Sequence, residues 1–196
     1  MPATTFERAL LRSATAGQLS NASSLDWYRT NITRIRTTPQ AIMQENRDNM
    51  TLQPLNGKMY LFEYEPKGKK TLKYYDTFPL IFKIQMWSEG FLGMNFHYLN
   101  YKQRAQLMNA LYDFASDKEI NEETRLLMTY KLLQNSTKFR WFKPTLKKYS
   151  KSNIRSRFLE IMPEQWNAAI MLPIARFKKE KNSKVWRDSE NVIQHK

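Results

Sequence analysis

A change in hydrophobic periodicity along the chain is the feature that most constrains its fold. Residues 58–65 (KMYLFEYE) and 78–86 (FPLIFKIQM) are runs of strand length rich in aromatic and apolar side chains, which predicts β-strands. A further strand is predicted from Thr71, because the intervening Pro66-Lys67-Gly68 suits a type I turn that would close a hairpin. Over residues 101–116 the apolar side chains instead recur at helical spacing, so an α-helix is predicted there.

A second helix is predicted over residues 121–133, where Asn121 can cap the first turn and two glutamates follow it. On the first helix, the side chains of Lys102 and Arg104 are expected to face water. The glycine-containing segment 89–95 is expected to be a buried connection. The pattern as a whole predicts an α+β fold, with a small antiparallel sheet or partial barrel and two packed helices.

The first 57 residues differ from the rest, being rich in Ser, Thr, Asn and Gln with isolated apolar positions. Short helices are predicted at Thr5 to Ser13, at Leu25 to Arg36 and after Pro39, although none could bury much apolar surface alone. We therefore divide the chain into a partly helical N-terminal arm, residues 1–57, and a basic α+β domain, residues 58–196. Packing of the arm on its own domain or on a neighbouring subunit is favoured over a free segment.

Residue types that commonly carry catalysis or bind metals are scarce. The chain has no cysteine and two histidines, of which His97 lies in an apolar stretch and is interpreted as a core residue. No motif of the nucleotide-binding, serine-hydrolase or zinc-protease type occurs. We expect no enzyme activity, no metal and no other cofactor.

One short fragment is compatible with an enzyme. Glu63, Glu65 and Lys67 could offer the carboxylates and the lysine of a metal-dependent nuclease. Pro66 ends the strand directly after Glu65, and no suitably spaced upstream acid accompanies the pair. Charged residues at the tip of a hairpin are the favoured interpretation.

The chain is expected to be made in a reducing compartment, since it lacks cysteine. No apolar run approaches the length of a membrane span, and no signal peptide is expected at the N-terminus. We therefore predict no membrane partner.

Positive charge is concentrated towards the C-terminus. The net charge is +14, and residues 138–196 hold 15 Lys and Arg residues against five Asp and Glu residues. Such a field attracts polyanions and speeds their association. A solvated surface is the alternative interpretation, although the excess is larger than solubility requires.

Basic and aromatic residues alternate in this C-terminal third, and residues 153–162 (NIRSRFLEIM) predict a strand with one charged face. Lysine and arginine side chains at such positions can neutralise phosphates, and aromatic rings can stack on exposed bases. The predicted nucleic-acid-binding residues are Lys147, Lys148, Lys151, Arg155, Arg157, Lys178, Lys179, Lys181 and Lys184. The predicted base-stacking residues are Trp141, Phe142 and Tyr149.

The segments Tyr74 to Leu80 (YYDTFPL) and Gly90 to Leu99 (GFLGMNFHYL) resemble a virion-associated protein family of T4-like tailed bacteriophages. Residues 139–157 and 184–189 fit the same pattern, so the resemblance covers about residues 55 to 190, and the N-terminal 50 residues contribute nothing to it. The resemblance implies a non-enzymatic protein of the head-completion or DNA-end-protection type. It assigns no functional residues.

Two hypotheses therefore remain open. The first is a DNA-binding virion protein, assembled in the host cytoplasm, whose basic C-terminal face contacts phosphates. The second is a purely structural tail, neck or baseplate subunit that uses its N-terminal arm for assembly with other phage subunits and its basic surface for acidic virion proteins. A nuclease ranks last.

Overall fold

The computed structural model of the chain describes residues 3–13, 22–115 and 142–194. The helices in these ranges are α1 (Thr5–Ser13), α2 (Ala22–Asn31), α3 (Pro39–Glu45), α4 (Tyr101–Ala115), α5 (Phe142–Thr145), α6 (Trp166–Met171) and α7 (Asn182–Gln194). The strands are β1 (Met50–Thr51), β2 (Met59–Leu61), β3 (Tyr75–Asp76), β4 (Leu80–Trp87), β5 (Gly90–Asn95), β6 (Leu146–Ser150), β7 (Phe158–Ile161) and β8 (Phe177–Lys178). Among the described residues, no helix is both long and apolar enough to cross a membrane.

Six of the strands form one antiparallel sheet in the order β1-β7-β2-β4-β5-β6, and β3 pairs with β8 in a separate two-stranded sheet. The predicted α+β class is confirmed. The predicted hairpin between residues 58–65 and the strand from Thr71 is wrong, because Met59 pairs with Phe82 on one side and Ile161 on the other. All three residues of β2 are buried, so this strand needs a neighbour on each edge and takes the centre of the sheet.

One face of the sheet packs against helices and forms the larger core. Apolar residues of β2, β4 and β7 lie in the same cluster as Phe6 of α1, Ile42 of α3 and Met108 of α4. The described helices of residues 1–57 therefore share a core with the rest of the chain. This contact agrees with the preference for an arm that packs on its own domain, whereas the division at residue 57 stays a prediction.

The opposite face of the sheet carries a second, largely aromatic cluster, which we call the aromatic cluster. Its buried members are Tyr60, Phe62, Tyr64, Ile81, Phe91, Tyr149 and Phe158. Most of its rings meet edge to face, the arrangement that aromatic quadrupoles favour. The sheet thus has apolar contacts on both faces. The loop that joins β6 to β7 is flanked by Tyr149 and Phe158, which both belong to this cluster.

Arg104 of α4 is fully buried, which corrects the expectation that it faces water. Its guanidinium donates hydrogen bonds to the carbonyl oxygens of Leu99 (2.8 Å) and Ile170 (2.8 Å). It also lies over the rings of Tyr101 and Trp186. The carbonyl acceptors and ring faces take the place of the water that was expected to solvate this cation. These contacts connect α4 to α6 through Ile170 and to α7 through Trp186.

His97 is fully buried, as predicted for a core residue. Its Nδ1 lies 2.7 Å from Oδ2 of Asp76, and the same carboxylate oxygen accepts from Asn95 Nδ2 at 3.1 Å. Nε2 of His97 is buried and has no hydrogen-bond partner in the described part of the chain. Burial lowers the pKa of His97, and the opposing effect of Asp76 offsets it only in part.

Acidification is therefore expected to destabilise the fold through His97. A histidine with a lowered folded-state pKa contributes stability above its unfolded pKa of about 6.5 and loses it as the pH falls further. The melting temperature should thus fall between about pH 7.5 and about pH 5.5. Glu65 and Asp188 also have lowered pKa values, but the ordinary pKa values of these carboxyl groups are 4.5 and 3.8, so they titrate below this window. His97→Gln should show a smaller fall, and an equal fall in both proteins would contradict the assignment.

Candidate nucleic-acid interface

The first group of predicted cations lies on β6 and in the loop that joins it to β7. Lys148, Lys151, Arg155 and Arg157 are exposed. The predicted strand over residues 153–162 is shorter, since β7 comprises Phe158–Ile161 and the two arginines precede it in the loop.

Backbone hydrogen bonds hold this loop, residues 151–157, against two neighbouring segments. The Lys151 N–H donates to Glu89 O and the Arg155 N–H to Glu63 O, both at 2.9 Å. Ile154 forms an isolated antiparallel bridge with Tyr64 and packs on the aromatic cluster. The exposed cations are therefore carried by a fixed backbone, which reduces the entropy lost when they contact a ligand.

Lys147 differs from its neighbour Lys148 because side chains alternate between the two faces of β6. Its ammonium group lies 4.0 Å from the centroid of the Tyr98 ring, and burial lowers its pKa to about 8. Lys147 is only partly exposed, so the structure makes it a weaker candidate for phosphate contact than Lys148.

The second group of predicted cations lies near the C-terminus and contacts the loop of residues 66–73. The sequence analysis does not predict this contact. Lys178, Lys179 and Lys181 are exposed, and Lys184 is partly exposed. The ammonium group of Lys179 donates to Lys70 O (2.9 Å) and Leu72 O (2.7 Å).

Asp188 of α7 joins this group to the same loop. Its carboxylate pairs with Lys184 (3.0 Å) and with Lys73 (2.6 Å). The 66–73 loop therefore brings further lysines, Lys67, Lys69, Lys70 and Lys73, beside the C-terminal cations. The run KGKK at residues 67–70 is the available sequence signal, but its overlap with Pro66-Lys67-Gly68 favours a hairpin turn instead.

Glu65 connects the two groups. Its carboxylate pairs with Lys69 and, at 3.3 Å, with Arg155. The hydrogen bond from Lys69, followed by its charge and the contact with Arg155, lowers the pKa of Glu65. We use the term basic surface for the cations of the 66–73 loop, the 151–157 loop and residues 178–184, together with Lys148.

Most of the predicted cations on the basic surface have no acidic partner. Arg155 and Lys184 form ion pairs. No ion pair in the described ranges includes the six others, namely Lys148, Lys151, Arg157, Lys178, Lys179 and Lys181. Their charge is available to an external anion.

The predicted stacking residues need correction. Tyr149 is 4% exposed, with its ring against Phe91 (5.3 Å between centroids) and Tyr64 (5.0 Å), so it offers no free face to a base. Trp141 and the side chain of Phe142 lie outside the described residues. Trp87, at the end of β4, is 37% exposed and lies next to Ser88, whose carbonyl accepts from Lys151 Nζ at 3.0 Å. It is the better-placed aromatic side chain, and its position at a strand end gave no sequence signal.

Glu63 and Glu65, the carboxylates of the possible nuclease fragment, do not converge with other acids. Glu63 is exposed, and Glu65 is engaged by two cations. Within residues 3–13, 22–115 and 142–194, no group of three or more His, Asp or Glu side chains is arranged to hold a metal ion.

Fold and surface together define an α+β protein whose basic surface presents exposed cations that have no ion-pair partner in the described ranges. Comparison with protein families gives a more particular result, because the family model described as Phage T4 terminal DNA protecting protein matches residues 6–189. The chain belongs to this family, which confirms the resemblance to T4-like phage proteins. No curated protein and no solved structure matches the chain.

Proposed function

We propose that the chain is a non-enzymatic virion protein that binds phage DNA near its ends through the basic surface. The observation that carries this proposal is the set of exposed cations, on the 151–157 loop and beside it, that have no acidic partner within the described part of the chain. The family description, a terminal DNA protecting protein, supports DNA as the polyanion.

The physical basis of the binding is neutralisation of phosphates. Each phosphate contacted by a lysine or arginine releases condensed counterions, which makes the affinity steeply dependent on salt but not on sequence. A protein that covers DNA ends of any sequence needs this kind of contact. The fixed backbone of the 151–157 loop places Lys151, Arg155 and Arg157 in advance of binding.

Neutralisation of four cations tests the proposal. In the variant Lys148→Gln, Lys151→Gln, Arg155→Gln and Arg157→Gln, the slope of log affinity against log salt should become shallower by about 3 to 4, since each lost phosphate contact removes about 0.9. Fluorescence anisotropy with a linear duplex over a salt series measures this slope.

A matched control removes the same charge elsewhere. Arg34, Arg36, Arg47 and Lys102 are also exposed, and their replacement by Gln lowers the net charge equally. This control should change the slope by less than about 1. Equal losses in the two variants would mean that net charge alone, rather than the basic surface, determines binding. Failure of the unaltered protein to bind duplex at low salt would instead favour an assembly role with acidic virion proteins.

A further inference from the structure

The aromatic face of the sheet opens into a cavity of about 850 Å³, within the size range of ligand sites. Its walls are residues 52–56, the end of β4, and the 151–157 loop with the start of β7. The first wall is fixed to the sheet, since the Gly57 N–H donates to Lys83 O at 2.8 Å and the Leu55 N–H donates to the Tyr60 hydroxyl at 2.9 Å. The cavity is therefore a built feature of the fold and not a gap between mobile loops.

A buried cation lines this cavity. Lys83 of β4 is 1% exposed, and its ammonium group donates to Pro54 O and to Asn56 Oδ1, both at 2.8 Å. Two carbonyl acceptors take two of its three N–H donors, and the Phe91 ring, with its centroid 6.0 Å from the ammonium group, is a further neighbour. No ion pair in the described ranges includes Lys83. Burial, and to a smaller extent the charge of Lys151, lower the pKa of Lys83 to about 8. A buried ammonium group that lines a cavity and has no acidic partner in the described ranges is a candidate site for an anion, because an anion there would stabilise its charged form.

The remaining lining is mostly apolar and includes side chains that are exposed despite their size. Leu55 is 59% exposed and Met86 is 42% exposed, and both line the cavity together with Ile154. Lys151, one of the cations of the basic surface, also lines it. An occupant with one anionic group and one flat apolar group would satisfy both parts of this lining.

We propose that this cavity receives the terminal nucleotide of a DNA duplex, with its end phosphate against Lys83 and Lys151 and its base against the apolar wall. The inference deepens the proposed function and rests on it. The position of Lys83 favours a chain end over an internal phosphate, since a side chain that is 1% exposed cannot reach the outside of a continuous duplex. An internal nucleotide would have to be flipped out of the stack, whereas a terminal base pair is stacked on one side only and frays easily.

The test compares three duplexes of equal length: one open with 5′-phosphates, one open with 5′-hydroxyls, and one closed at both ends by hairpins. The unaltered protein should bind the phosphorylated open duplex about tenfold more tightly than either of the others, as one charge-assisted contact allows. In Lys83→Met, this preference should fall to about twofold or less, while the affinity for the closed duplex is unchanged. Met86→Asp should reduce the preference in the same way, and Lys151→Met should reduce it while also weakening the binding of all three duplexes, because Lys151 belongs to the basic surface. Both sites are exposed, so these variants are expected to fold even if Lys83→Met does not. Lys102→Met serves as the control, because it removes one exposed charge that does not line the cavity.

The outcomes separate the two proposals. If the unaltered protein binds no duplex, the proposed function fails. If it binds open and closed duplexes equally, or binds phosphorylated and hydroxyl ends equally, DNA binding stands and the end site is overturned. If the preference persists in Lys151→Met and Met86→Asp, the cavity is not the end site; this is also the result expected if it accommodates an acidic peptide of a partner protein.

Discussion

Replacement of Phe62 by alanine is expected to lower the free energy of unfolding by about 3 to 5 kcal/mol, the range for a fully buried phenylalanine. Phe62 is 0% exposed and directly follows the central strand β2. Its ring centroid lies 4.8 Å from that of Phe158, 5.4 Å from Tyr149 and 5.8 Å from Phe91. Alanine would leave a cavity bordered by side chains of β5, β6 and β7, and these strands cannot close around it without breaking their register.

Urea denaturation measures this effect, with Leu72→Ala as the control. Leu72 is 40% exposed in the 66–73 loop, so its truncation should change stability by no more than about 0.5 kcal/mol. Because Tyr149 and Phe158 flank the 151–157 loop, Phe62→Ala should also weaken DNA binding at temperatures where it remains folded. A loss below about 1 kcal/mol would show that the aromatic cluster is not a tightly packed second core.

Helices with a local signal were predictable from the sequence. α1 begins and ends where expected, at Thr5 and Ser13, and α4 begins at Tyr101 as predicted and ends at Ala115. Amphipathic spacing within ten or fifteen residues determines such elements. The predicted second helix over residues 121–133 lies outside the described residues.

Strand partners were not predictable in the same way. The turn signal at Pro66-Lys67-Gly68 is local, and it suggested a hairpin, whereas β2 pairs with strands about twenty and one hundred residues away. Segment 89–95, expected to be a buried connection, instead contributes the strand Gly90–Asn95. The pairing of β2 depends on the burial of its side chains on both faces of the sheet. That burial exists only in the assembled fold and leaves no signal in the neighbouring sequence.

The candidate site shows the same division between local and long-range information. The sequence located a cationic C-terminal third, because charge is a property of composition. It could not distinguish Lys147 from Lys148, since the two adjacent side chains lie on opposite faces of an edge strand. Nor could it join the lysines of residues 67–73 to those of residues 178–184, because that contact depends on Asp188 and on the backbone carbonyls that Lys179 meets.

Replacement of Gly90 by alanine is expected to be the second strongly destabilising change. A Cβ atom at this position would lie 2.2 Å from the carbonyl oxygen of Tyr149 and 3.1 Å from its carbonyl carbon. Both are backbone atoms of β6, which pairs with β5 through Gly90 and Ser150, so no side-chain rotation can relieve the overlap. The two strands must separate at this end, and the expected cost is about 3 kcal/mol or more, at the upper end for overpacking.

The same substitution at Gly68 provides the control for Gly90→Ala. There a Cβ atom would meet nothing closer than 3.6 Å, at the side chain of Thr71, and the backbone is not in the left-handed region. Gly68→Ala should therefore be neutral or stabilising by up to about 1 kcal/mol, because alanine restricts the unfolded chain. Lys151 follows β6 directly and its N–H is bonded to Glu89 O, so separation of the strands at Gly90 should also displace the start of the 151–157 loop. Gly90→Ala is thus expected to reduce DNA affinity beyond its effect on stability, whereas Gly68→Ala is not; equal stability of the two variants would mean that β5 and β6 are not paired at Gly90.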